Sequence, residues 1–406
     1  MHSTMRTLIA ATLVLASIAR FASAGDLLDV LRDRRLGTAD LSAALSAIGP
    51  PLSDAVASAY PVPSASSSVF FAWDPDADSF VEQSAVGSPI FGERAETIGQ
   101  RQLNVTVTHS YVDLATINGD DLSSLENRAE IDGRSVARRT DPGHPFVLQD
   151  GRISTFVPVL VHLDLGVTAH VVSTALVYGV TPALDVGIVV PVVRSSLRAA
   201  VDVALPDPRF PEFALCPRRA CASNPPRLQH GAASDAAEGV GDIVLRAKFA
   251  ISRGTPADLA GILSVSLPTG NPRNFHGIGY TRVQPLLVAS RYFGPRVQPY
   301  ANVGMDLNTQ DVGASAVRWV LGTNVQVFTP LTAGIAFLGR HELGAQSTVA
   351  LPFFFQIERN DIVDASVGFR MRLGEHGSVA VNALVPLNDD GLRTVATPTV
   401  ALEWVL

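Results

Sequence analysis

Eleven charged or titratable residues of this chain stand among alternating apolar neighbours: His162, Asp164, His170, Asp185, Arg246, Lys248, Asp306, Arg318, Arg370, Arg372 and Glu403. Such a set can do one of two things. It can line a passage of mixed charge that selects solutes, or it can form a ladder of ion pairs that fills a closed interior. Buried charges need partners, and Arg246 with Lys248, or Arg370 with Arg372, can pair with Asp164, Asp185 or Glu403 across such an interior. Covalent chemistry has weaker support. His109 and His170 could be joined by a serine, but no G-x-S-x-G and no H-E-x-x-H is present, so no catalytic residue and no enzyme activity is expected. His162 and His170 lie eight residues apart on one strand face, too far apart for a shared metal. The run DPDAD at 74–78 lacks the glycine and the twelfth-position glutamate of a calcium loop and reads as an Asx-rich turn. Neither a metal nor a cofactor is expected. Cys216 and Cys221 are the two cysteines, and their close spacing in an exported chain favours a local disulfide.

The elements able to position these side chains are legible as alternation of period two. VDASVGFRMRL (363–373) sets Val363, Val367, Phe369, Met371 and Leu373 against Asp364, Ser366, Gly368, Arg370 and Arg372. PYANVGMDLN, GDIVLRAKFAIS, RQLNVTVTHS and SVAVNALVPL alternate in the same way. Strands are predicted near 98–117, 153–180, 184–203, 240–253, 257–268, 282–293, 297–308, 315–328, 331–342, 360–373, 378–387 and 394–406. That is an even dozen, with the 343–360 stretch the least regular part and a bulge allowed in 153–180. Short connections (181–183, 254–256, 294–296, 329–330, 374–377) alternate with long or polar ones (118–152, 204–239, 269–281, 309–314, 343–359, 388–391), and Gly, Pro and Asn mark both as turns.

Composition bounds the setting. The chain has 406 residues, 47% of them hydrophobic and only 17% charged, below the usual quarter. Arg6, the apolar run LIAATLVLASIA and a small-residue site at Ala22–Ala24 read as a signal peptide over 1–24. Its removal takes away Arg6 and Arg20 and no acid, so the formal charge of −7 becomes −9. An acidic chain is a poor nucleic-acid partner. No later run of 18 apolar residues offers a membrane helix. Strands of about ten residues with short turns on one side and long loops on the other describe a membrane β-barrel, since lipid admits only helices and closed barrels. The expected fold is therefore all-β, a transmembrane antiparallel β-barrel of about 12 strands over 98–406. An Ala-rich helical stretch and a hairpin (66–83) precede it in 25–97, as a periplasmic extension or as a lumen plug. A twelve-stranded barrel lies between side-chain-filled and open sizes, so its lumen is expected to be narrow.

The motifs FGERAETIGQRQLNVTVTHSY (91–111), LVYGVTPALDVGIVVPVVRSSL (176–197), GVGDIVLRAKF (239–249), LPTGN (267–271), QPLLVASRYFGPRVQPYANVG (284–304) and LVPLNDDGLR (384–393) follow one another over about 90–406. In this order they resemble Gram-negative outer-membrane channels of the MetA-pathway-of-phenol-degradation type. The resemblance implies an outer-membrane location, lipid as surroundings, and small hydrophobic or aromatic solutes as cargo. The expectation is thus an outer-membrane channel for passive uptake, with two alternatives: a closed structural barrel, or a barrel enzyme acting on lipid. The alternation ending in TPTVALEWVL places Val400, Leu402, Trp404 and Leu406 outward and Glu403 in the lumen. Trp404 and Leu406 are expected to serve as the signal read by the barrel-assembly machinery, although an aromatic is more usual in the place of Leu406.

Overall fold

The structure, a computed structural model, describes residues 26–33, 36, 49–59, 70–74, 79–83, 91–132, 156–204, 227–254, 256–344, 361–374 and 376–406. The leader over 1–24, the cysteine pair Cys216 and Cys221, and residues 75–78 of the DPDAD run lie outside them.

Twelve antiparallel strands close on themselves. In order around the wall they are β3 (Leu103–Ile117), β6 (Phe156–Thr181), β7 (Leu184–Ala204), β9 (Ile243–Ser252), β10 (Asp258–Leu267), β11 (Arg282–Ser290), β12 (Val297–Asn308), β13 (Ala316–Phe328), β14 (Leu331–Glu342), β15 (Ile362–Leu373), β16 (Gly377–Pro386) and β18 (Thr397–Val405). The pairing of β18 with β3 closes the ring, with Leu402 opposite Val107. The remaining elements are α1 (Leu28–Leu31), α2 (Gly49–Ala59), β1 (Phe70–Asp74), β2 (Ser79–Gln83), β4 (Asp120–Asp121), β5 (Leu125–Asp132), β8 (Arg227–Val240) and β17 (Leu392–Thr394). β1 and β2 pair as the hairpin expected there.

Two stretches expected as loops hold strand. β5 pairs with the first residues of β6, and β8 with the last residues of β7. They raise one side of the wall beyond the other strands. β7 thus has two successive partners on one edge. β9 covers Leu184–Val189 and β8 covers Val192–Ala204. The changeover falls at Pro191, which has no N–H to donate and whose carbonyl accepts from Gly241 N at 2.8 Å.

Along every barrel strand one face is buried and the other open. The open face carries Leu245, Phe249, Leu263, Leu287, Val303, Leu321, Phe337, Val367, Phe369, Val381, Leu402 and Trp404, a band of large apolar side chains running round the wall. In water such a continuous patch drives association. In lipid it is the surface a barrel must present. A charge placed in this band by Leu287→Arg is expected to lower stability by about 2–4 kcal/mol, read as a lower urea midpoint of the purified barrel in lipid vesicles. An unchanged midpoint would mean that this face does not meet lipid.

β6 and β7 outrun the band, and there the binary pattern inverts without any slip in register. Below His170 the outward residues are Val172, Leu176, Tyr178 and Val180, and above it they are Thr168, Asp164 and His162. Inward, the small or polar Ser173 gives way to Val171, Ala169, Val167, Leu165, Leu163 and Val161, all buried. These join Leu27, Leu31, Leu36, Leu52, Val56, Val112, Leu114 and Phe275 in one core. α1 and α2 supply its inner half. Pro50 and Pro51 suit the first turn of α2, whose N–H groups have no helical acceptor, and Leu52 and Val56 fall on one face at spacing four.

Candidate functional site

The polar inner surface is built by alternation within the lipid band. Facing inward are Asp185 on β7, Arg246 and Lys248 on β9, Asp306 on β12, Arg318 on β13, Arg370 and Arg372 on β15, and Glu403 on β18. His162, Asp164 and His170 do not face inward. They have the parity of Val172 and Leu176 and lie on the outer surface. His162 approaches Glu126 at 3.6 Å. Asp164 accepts from Arg198 Nη2 at 2.9 Å. His170 stands 3.4 Å from His109 and beside the Tyr111 ring. Here the pattern of β6 is inverted, because a polar residue is driven inward only where the outside is lipid.

Ion pairs organise the lumen in two places. At the short-turn end, Arg370 and Glu403 pair at 7% and 3% exposure, with Ser378 between them. Asn104 Nδ2 donates to the same carboxylate at 2.9 Å. Higher up, four arginines from four strands converge. Arg246 Nη2 donates to Glu93 at 2.6 Å, Arg282 Nη2 to Asp54 at 2.5 Å, and Arg318 Nη1 to Asp306 at 3.2 Å. Arg340 lies 3.9 Å from Asp54, 3.8 Å from Asp306 and 3.5 Å from Glu342. Around them is a cavity of about 190 Å³, with Leu286, Val320, Leu338, Ile362 and Leu384 as its apolar lining.

Sequence reasoning missed Arg282, Arg340, Asp364 and Arg393. Arg340 follows the apolar Ala336 and Leu338 on the inward face of β14, and its signal was its spacing of two from Glu342. Arg393 sits on the three-residue β17, where it pairs with Asp364. Arg282 did carry a signal, as it precedes Gln284 by two residues.

Two carboxylates in this network, Asp54 and Glu93, belong to the segment before the barrel. Residues 91–98 run along the inner wall as an extended strap. Asn302 holds Glu93 from both sides, accepting from its N at 2.8 Å and donating to its O at 2.7 Å. Tyr300 Oη donates to Phe91 O at 3.1 Å, Ala95 N donates to Ser290 at 3.0 Å, and Ile98 N donates to Asp185 at 3.0 Å. Gly92 makes the turn with φ +87°, and a Cβ there would come 2.7 Å from the Tyr300 ring. Above, Leu27 N donates to Asn274 at 2.8 Å and Ser53 Oγ to Gly277 O at 2.5 Å.

The wall has a weak point beside the cavity. The β11–β12 ladder pairs Arg282 with Asn308 and Val283 with Leu307, skips Gln284 and Pro285, and resumes at Leu286 with Gly304. Pro285 has no donor for it. Gly304 brings the two strands close, for a Cβ there would lie 2.3 Å from the Pro285 carbonyl oxygen. On the outer face, Phe249, Leu263, Leu287, Val303 and Met305 flank an apolar groove whose floor includes the inward-facing Ile262 and Leu286. Leu286 lines the lumen cavity as well.

A serine–histidine pair occurs elsewhere, with His276 Nε2 at 3.1 Å from Ser195 Oγ. The two residues are 2% and 0% exposed, and the Ser195 hydroxyl donates to Asn274 O at 2.5 Å.

Residues 143–369, more than half of the chain, match the family described as "Putative MetA-pathway of phenol degradation". No curated protein matches the chain. Among solved structures, an outer membrane channel from Pseudomonas putida F1 is 12% identical, with a TM-score of 0.44 over 77% of this chain and 98% of its own. A FadL homologue from Pseudomonas aeruginosa is 11% identical, with a TM-score of 0.37 over 86% and 99%. The toluene transporter TbuX from Ralstonia pickettii is 9% identical, with a TM-score of 0.35 over 75% and 90%. The fold described above rests on the strand pairing and not on these likenesses.

Proposed function

This chain belongs to the MetA-pathway-of-phenol-degradation family, and from that premise we propose that it is a bacterial outer-membrane channel for passive uptake of small hydrophobic or aromatic solutes. The observation that carries the reading is the pairing of an internal cavity with an external apolar groove across a single side chain, Leu286. Cavities of about 150 Å³ lined by aliphatic groups hold benzene, so 190 Å³ is enough for one aromatic ring. Passage is energy-independent and follows the gradient. An apolar solute in the lumen meets charged groups ahead but lipid behind Leu286, so the interrupted ladder at Pro285 supplies a sideways exit into the bilayer. The segment before the barrel acts as a plug. No step calls for a cofactor or a metal, and no catalytic residue is assigned.

Vesicles loaded with the purified barrel are expected to take up toluene faster than empty ones. Leu286→Trp, which fills the shared position, is expected to bring that rate down toward the empty-vesicle value, and Leu286→Ala to raise it. A Leu286→Trp protein with unaltered uptake would reject the lateral route. A second reading, a closed structural barrel, draws support from the ion pairs that span the lumen. It expects no uptake above empty vesicles from any of the three proteins. The outward alternation of Val400, Leu402, Trp404 and Leu406 supports recognition by the barrel-assembly machinery.

A further inference from the structure

Whose carboxylates neutralise the lumen arginines separates the wall from the plug. Around the cavity the wall supplies Arg246, Arg282, Arg318 and Arg340. Four wall carboxylates lie near them. Asp242 lines a space with Arg282 and accepts from Gly270 N and Ile278 N. Asp306 is already shared between Gln284, Arg318 and Arg340. Asp364 is taken by Arg393. Glu342 lies 3.5 Å from Arg340. The carboxylates that meet Arg246 and Arg282 come from the plug, as Glu93 and Asp54. Without the plug this level of the wall therefore has a surplus of guanidinium groups around an apolar pocket. The hold on them is uneven. Arg340 makes no hydrogen bond through Nε or Nη1, and Arg318 is 39% exposed with one 3.2 Å contact.

We propose that this cavity is a binding site for small organic anions with an apolar body, such as an aromatic monocarboxylate, and that Asp54, beside it, engages the lining Arg282 and Arg340 as an internal substitute. The inference rests on the channel reading and narrows its substrate class. A carboxylate accepts two parallel N–H bonds from a guanidinium, whereas Asp54 accepts one, from Arg282 at 2.5 Å, and lies 3.9 Å from Arg340. A solute carboxylate placed there takes over the two arginines, while its ring lies on Leu286 and Leu338. Asp54, 23% exposed, then loses its ion-pair partner, and α2 loses one of its contacts to the wall. α2 is the common wall of three spaces. Ala57 and Ser58 line the 190 Å³ cavity, Asp54, Ala55 and Ser58 a second of about 50 Å³, and Ala57 a third of about 50 Å³. Its withdrawal joins them. The anion thus opens the path that it uses, and the coupling is reciprocal: whatever weakens the Asp54 contact strengthens anion binding.

The test uses the full-length barrel in vesicles, with benzoate and its neutral analogue benzyl alcohol as probes. Asp54→Asn is expected to raise benzoate uptake at least about fivefold, the lower end of ordinary coupling between two sites, with little change for benzyl alcohol. Adding Arg340→Gln to Asp54→Asn is expected to remove the gain. Heat-modifiable migration in gels reports whether each variant is a closed barrel. If Asp54→Asn does not close, isothermal titration of benzoate into wild-type and Arg340→Gln protein replaces it, and equal binding to both overturns the proposal. Benzyl alcohol uptake with benzoate unchanged by Asp54→Asn overturns the anion site and leaves the channel standing. Uptake of neither probe by any variant overturns both.

Discussion

Removal of residues 404–406 is expected to abolish assembly of the barrel. β18 is bonded on both edges, to β16 and to β3, so it is the seam of the ring. The last residues carry a large part of that seam. Leu103 and Leu406 exchange both backbone bonds, at 2.9 and 2.8 Å, and Val405 N donates to His376 O at 2.9 Å. Trp404 stands opposite Gly377 on one side and Val105 on the other, and its ring covers Gly377, where a Cβ would come 2.8 Å from it. A soluble sheet would give the freed groups to water. In lipid each unsatisfied backbone group costs several kcal/mol, so three lost bonds suffice to leave the ring open. The outward Trp404 and Leu406, the proposed assembly signal, go with them. The measurement is the membrane fraction that resists urea extraction and shows heat-modifiable migration. A shortened chain that inserts and closes normally would refute this account of the seam.

Glu403→Ala is expected to cost about 3–5 kcal/mol, the usual penalty for stranding one member of a buried ion pair. It leaves Arg370 charged inside the wall and takes from Asn104 its acceptor. The double substitution Arg370→Met with Glu403→Leu removes both charges and is expected to recover most of the loss, because a buried pair competes poorly with apolar groups of similar volume. Urea midpoints of the single and double variants in vesicles decide the matter. If the double variant is as unstable as the single one, Glu403 matters through its bond to Asn104 and not through the charge of Arg370.

The positions of Arg370 and Glu403 were legible because β15 and β18 are bonded on both edges within the lipid band, where one face must be apolar. The sequence offered Glu403 as one of three partners of Arg370 and did not choose among them; their meeting is set by the fold. It depends on β16 lying between their strands, with Arg370 opposite Ala380 and Glu403 opposite Ser378. His162, Asp164 and His170 were misplaced because their part of β6 rises out of the lipid. Arg340 was passed over because Ala336 and Leu338 before it on the inward face of β14 are apolar, although Glu342 follows it on the same face.

By itself the sequence determined the class of fold. An alternation of period two, twelve times repeated and separated by short and long turns, has one closed solution in lipid, because every backbone group must be bonded within the wall. It also determined which face each mid-wall residue takes, since parity is local. Only the tertiary structure decided where the lipid band ends, because that depends on how far β5 and β8 extend the wall beside β6 and β7. It alone brought Arg246, Arg282, Arg318 and Arg340 to one level, through the stagger between neighbouring strands. It also set Asp54 and Glu93 among them. Those carboxylates lie roughly 150 to 290 residues from their arginines in the chain, and no local pattern records so distant a meeting.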